Sequence, residues 1–172
     1  MWIRLIGSVM VLGATTMFGV HFQQIEVVRK KELLELERGI LLLKQQLNCF
    51  GMPLEEAFLA VGEKISGTAS LIFLEVAEAI KERQAGSVSE IFHEVLERKK
   101  ESGLQESDFL ALRDFGKTIV AFARKENTGS IDFLLEYIKK EIGGLEKRIE
   151  KNGKLYMSVG VLSGLLLVVM LW

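Results

Sequence analysis

The sequence predicts an all-α fold, a six-helix bundle held between two terminal transmembrane helices. Three observations carry that expectation. Both ends of the 172-residue chain are long apolar runs, all acidic and nearly all basic residues lie between them, and the charged middle repeats its apolar residues at helical spacing. A single proline in the whole chain leaves little to interrupt helices.

From Leu5 to Ile25 no side chain is formally charged. About 20 mostly apolar residues suffice for a helix to cross a bilayer core. Trp2 stands where an amphipathic ring favours the membrane–water boundary. A cleaved signal peptide fits less well, because only Arg4 precedes the run and no small-residue cleavage site follows it. Residues 2–25 are therefore read as an uncleaved anchor. Leu155 to Trp172 is also uncharged, and at 1.5 Å per residue it reaches roughly 27 Å, enough with slight local thinning. Tyr156 and Trp172 mark its ends. Residues 155–172 form the second anchor.

Orientation follows from the flanking cations. Arg29, Lys30 and Lys31 follow the first anchor, and Lys147, Arg148, Lys151 and Lys154 precede the second. The positive-inside rule then puts residues 26–154 in the cytoplasm and both termini outside it. That middle section has a net charge of about −2, with both signs interspersed. It offers no basic stripe for nucleic acid.

The first cytoplasmic helix continues from the anchor to about Phe50. Leu33, Leu36, Ile40, Leu43, Leu47 and Phe50 alternate three and four apart, the rhythm of a coiled-coil seam. Ile131, Leu135, Ile138, Ile142, Leu145, Ile149, Asn152 and Tyr156 repeat it at the other end. The two helices are expected to pair antiparallel and run on into the bilayer. Gly143 and Gly144 mark a close helix approach, a kink or a tolerated flaw. Pro53 opens a second helix that reaches about Ser66, with Gly67 as its stop. A third presents Leu71, Leu74, Val76, Ala77 and Ile80 and ends at Gly86. Ser87 and Glu90 make a capping box for a fourth, which buries Ile91, Phe92 and Val95 and stops at Gly103. A fifth starts near Gln105 and buries Phe109, Leu112, Phe115 and Ile119; Arg124 to Ser130 turns into the last helix.

Chemistry-bearing residues are sparse. His21, His93 and the lone Cys49 have no partners at zinc-site spacing, so no metal or cofactor is expected. Cys49 reads as a buried helical residue, His93 as half-exposed among Glu90, Glu94 and Glu97, and His21 as interfacial or, alternatively, proton-linked. Glu75 and Glu78 read as a solvated face rather than paired catalytic carboxylates. Gly62 and Gly67 lack the Lys-Ser/Thr ending of a phosphate loop, which excludes an ATPase. A non-enzymatic protein is the expectation. In the anchors, Gly160 and Gly164 form a GxxxG, and Thr15 with Gly19 a second small pair. Such pairs let helices approach closely in lipid, between the two anchors, between subunits, or to no purpose.

Six stretches in order carry a resemblance: LIGSVMVLGATT at Leu5–Thr16, MPLEEAF at Met52–Phe58, FLEVAEAIKER at Phe73–Arg83, SVSEIFHEVL at Ser87–Leu96, ALRDFGKTI at Ala111–Ile119 and SVGVLSGLLLVV at Ser158–Val169. Together they resemble the stage III sporulation protein AB family of endospore-forming bacteria over essentially the whole chain. The family's cytoplasmic part is similar to the six-helix domain of the type II secretion F protein. The resemblance implies a membrane platform in the channel between mother cell and forespore, sited in the mother-cell membrane around the forespore. It also implies a secretion-type ATPase, stage III sporulation protein AA, and other channel membrane subunits as partners. Pro53, Phe92, Gly116 and Asn127 occupy family motif positions with structural roles. Phe92 stands where the family usually has Trp, which keeps an aromatic core plug. The motif after Gly116 departs: Ile119–Val120 replaces Leu-Gly, Ala123 replaces Asp, and Asn127 takes the Gln position. From the residues alone, a homotypic coiled-coil tether through the first helix is the alternative to a channel platform.

Overall fold

The computed structural model describes the backbone of residues 2–82, 87–99, 102–124 and 129–171, and the side chains of residues 24–82, 87–99, 102–124, 129, 131–151 and 162. Among the described residues six helices follow one another: α1 (Trp2–Phe50), α2 (Leu54–Gly62), α3 (Gly67–Glu82), α4 (Val88–Arg98), α5 (Glu106–Ala123) and α6 (Gly129–Leu171). Among the described residues there is no strand. The chain divides into two compact units, a body of Arg29–Ile142 and a second unit of Met1–Val28 with Gly143–Trp172.

Within the body the seam of α1 is dry. Leu33, Leu36, Ile40, Leu43 and Leu47 are all buried, and on α6 so are Ile131, Leu135, Ile138 and Ile142. Two ion pairs fix the sense of this pairing. Arg29 Nη2 lies 2.8 Å from Glu141 and Lys44 Nζ 2.5 Å from Asp132, so α6 numbers fall as α1 numbers rise. The helices are antiparallel, as the heptads predict. Phe50, the last seam position, is 65% exposed instead, because Gly51 turns the chain at φ +59° directly after it. In the second unit Glu26 pairs with Arg148 at 3.6 Å, Leu145 is buried and Ile149 half-buried.

Several boundaries and faces differ from the expectation. α2 ends at Gly62, not near Ser66, and Gly67 begins α3 rather than stopping α2. The reason lies on α1. Glu35 accepts the Ser66 N–H and Glu32 the Thr68 N–H, each at 2.8 Å, so two carboxylates from a neighbouring helix satisfy donors at the start of α3. Gly67 has φ +71°, where glycine is favoured, and a Cβ there would sit 2.8 Å from a Glu32 oxygen and press on that carboxylate. α3 buries Ile72 and Phe73 with Val76 and Ala77, while Leu71 is half exposed and Leu74 and Ile80 half-buried. Its apolar face is turned relative to the predicted one.

Ser87 does occupy the N-cap of α4, but its side chain makes no capping bond. α4 ends at Arg98, several residues before Gly103. The fourth-helix residues Ile91, Phe92 and Val95, and the fifth-helix residues Phe109, Leu112, Phe115 and Ile119, are buried as predicted. Cys49 is exposed rather than buried. The α6 backbone stays helical through Gly143 and Gly144, and a Cβ added to either meets nothing within 4 Å. Among the described residues, neither glycine serves a close approach.

Among the described residues no helix is long and apolar enough to cross a membrane. The side chains of both predicted anchors lie almost wholly outside the described residues. That includes Thr15, Gly19, Gly160, Gly164 and His21. Asn127 and Gly86 lie outside them altogether.

Candidate functional site

Two clusters organise the body. The first is built on Asp108, in the first turn of α5. A carboxylate there faces the free N–H groups of a helix start, and Asp108 accepts the Gln105 backbone N–H at 2.8 Å. The same carboxylate accepts Arg29 Nε at 2.9 Å, Arg29 Nη2 at 2.8 Å and the Tyr137 hydroxyl at 2.9 Å. Four donors fill the acceptor capacity of one carboxylate. Arg29 also donates to Glu141 at 2.8 Å. The Asp108 side chain is fully buried and that of Arg29 is 4% exposed.

This ionic node joins α1, α5 and α6. It lies at Arg29, where α1 enters the body, and beside Glu141, just before α6 leaves it. The hydrogen bonds that Arg29 donates to Asp108 raise its pKa above the usual value, outweighing the opposing effect of burial, with Glu141 adding to the rise. Burial, with the Asp108 charge alongside, pushes Tyr137 up to about 12. Both groups therefore hold their protons at neutral pH. The node has the chemistry of a clamp: a bidentate fork fixes the rotation of α1 against α5 as well as its distance.

The second cluster is aromatic. Phe58 of α2 meets Phe73 of α3 at 5.3 Å and Phe92 of α4 at 6.0 Å, and Phe92 meets Phe115 of α5 edge-on at 6.0 Å. One ring from each middle helix is enough to tie all four together. Gly116 makes room for it. A Cβ at this position would lie 2.9 Å from Cγ and Cδ1 of Phe92. Two of the motif residues singled out in the sequence, Phe92 and Gly116, are thus in direct contact. Pro53 sits at the N-cap of α2 with φ −53°, and its carbonyl accepts the Ala57 N–H at 2.9 Å. It plays no part in the ring stack.

Sequence reasoning missed the ionic node. Arg29 counted only as an orientation charge, and Asp108 and Tyr137 were passed over. A Gln-x-x-Asp capping pattern at 105–108 could have flagged Asp108. Nothing local could have supplied its partner 79 residues away. Glu75, expected on a solvated face, is half-buried and pairs with Lys99. Glu78 is exposed, as expected, and His93 is half-exposed and 4.0 Å from Glu97.

Within the body, antiparallel stretches of α1 and α6 and four shorter helices define an all-helical scaffold in which the described clusters bind helices to one another. The family model for stage III sporulation protein AB matches residues 4–172, and the chain belongs to that family. It is 23% identical to stage III sporulation protein AB of Bacillus subtilis (strain 168) over 169 residues, covering 98% of this chain and 99% of that protein. A solved structure of stage III sporulation protein AB shares the fold with a TM-score of 0.64 at 15% identity, covering 71% of this chain and 96% of that one.

Proposed function

We propose that this chain is a non-enzymatic, two-span membrane component of the secretion-like channel between mother cell and forespore, needed for endospore formation. Its body stands in the mother-cell cytosol, both termini lie outside the cytosol, and the body docks a secretion-type ATPase, stage III sporulation protein AA. The observation that carries the reading is the course of α1 and α6. Each helix of the packed pair extends into one of the two charge-free ends of the sequence.

The tether reading is disfavoured by burial. The α1 seam that a homotypic coiled coil would use is covered within the chain itself, with Leu33, Ile40 and Leu43 fully buried. The topology is tested with Cys49 replaced by Ser and a new cysteine appended beyond Trp172. It should react with an impermeant thiol reagent from outside the cytosol only, and the protein should stay with vesicles after alkaline carbonate extraction. Labelling from the cytosolic side, or release by carbonate, overturns it. Docking is tested by co-purifying full-length chain and ATPase in detergent, where clean absence of binding removes that part.

A further inference from the structure

Many acids of the body are matched within the chain. Glu32 and Glu35 cap α3, Glu75 pairs with Lys99, Glu97 with Arg113, Asp108 and Glu141 with Arg29, and Asp132 with Lys44. Four of those that form no ion pair among the described residues gather at the shallow groove between α2 and α3. Its apolar lining is Leu59, Leu74 and Ala77, and its rim carries Glu55 and Glu56 on one side and Glu78 and Glu82, with Lys81, on the other. None of these four carboxylates forms an ion pair among the described residues.

Two features make this face costly when bare. Glu78 and Glu82 stand one helical turn apart, where like charges repel. Leu59 is 47% exposed and Leu71, one turn before Leu74, is 50% exposed. Both costs fall if one object brings apolar surface to the floor and cations to both rims. The lining runs along about one turn of α2, from Glu55 to Leu59, and about two turns of α3, from Leu74 to Glu82, roughly 12 Å at its longest. That length suits an amphipathic helix with a leucine-type stripe flanked by Lys or Arg. The acidic rim rejects an anionic lipid surface.

We propose that the α2–α3 groove is the docking site for a basic amphipathic helix of a partner protein. This rests on the docking function proposed above and assigns it a face. The probe is a synthetic Lys/Leu amphipathic helix of about 18 residues, with a scrambled version and a Glu/Leu version as controls. The full-length chain, labelled on Cys49 and held in phosphatidylcholine nanodiscs, reports binding by fluorescence anisotropy. We expect E55K/E56K/E78K/E82K to weaken the Lys/Leu peptide by about tenfold or more and to admit the Glu/Leu peptide. The E136K/E150K control should stay within about twofold of wild type. Raising salt should weaken the wild-type complex. Equal binding of the Lys/Leu peptide by wild type and the fourfold reversal overturns the proposal, as does equal binding of the scrambled peptide to wild type; unchanged helical circular dichroism excludes misfolding of the variant. The ATPase, tested on the same proteins, separates the two readings. If it ignores the wild-type chain while the peptide still discriminates, the ATPase reading falls and the groove stands. If it binds but the peptide does not discriminate, docking stands and the groove falls.

Discussion

The aromatic stack and the ionic node are both dry, yet they hold helices in different ways. Rings of Phe58, Phe73, Phe92 and Phe115 attract with only a weak directional preference, and a neighbouring ring can tilt to fill part of a gap. The Arg29–Asp108 fork tolerates no such adjustment, because a buried charge left without its partner keeps the full cost of leaving water. The stack therefore secures the four middle helices to one another, whereas the node sets the one rotation of α1 that meets α5 and α6. The difference teaches that the body is stabilised in one place and oriented in another.

That contrast can be broken at the node first. D108L should cost about 3–5 kcal/mol, since it leaves a buried guanidinium with Glu141 as its remaining carboxylate, while adding R29M should recover most of the loss. Thermal unfolding of the full-length protein in detergent, run as a double-mutant cycle, measures this. Additive single effects would show that the node is not a clamp.

At the stack, F92A should cost about 3–5 kcal/mol through the cavity it leaves. G116A should cost less, about 1–3 kcal/mol, because the added methyl presses on the Phe92 ring despite the better helix propensity of alanine. If the loss in G116A is caused by that collision, adding F92A should make the alanine at 116 neutral or stabilising. The same unfolding assay reads it.

Tyr137 probes the rim of the node. Its hydroxyl stays protonated in the fold up to about 12 but ionises near 10 once unfolded. Between those values the folded state holds more protons, so stability is full below pH 10 and falls as pH rises towards 12. Y137F should cost on the order of 1 kcal/mol at pH 7 and flatten that alkaline loss. A pH series of melting temperatures for both proteins checks the sign. The smallest effect belongs to S87A. With no side-chain cap bond to lose, it should change stability by less than about 0.5 kcal/mol, below the usual cost of removing a cap.

How much of this was legible depended on range. Heptad spacing alone marked Leu33 to Leu47 and Ile131 to Ile142 as facing seams, because a helix repeats its own geometry every few residues. The same local logic located α5 from Gln105 and its buried Phe109, Leu112 and Phe115. It failed at Gly67, whose role depends on Glu32 from another helix, and at α3, where packing against Phe58 selected Phe73 over Leu71 and Leu74. Ser87 and Glu90 matched a capping pattern that the fold did not use.

By itself, then, the sequence determined which stretches are helical, which of them pair, and that charge is confined to the middle, since these follow from spacing and composition along one chain. Only tertiary structure decided that Arg29 belongs to Asp108 and Glu141, that Gly116 exists for Phe92, and that four carboxylates share one groove. Those are meetings between residues far apart in the chain, and their energies appear only when packing excludes water and leaves each charge or ring with a particular neighbour.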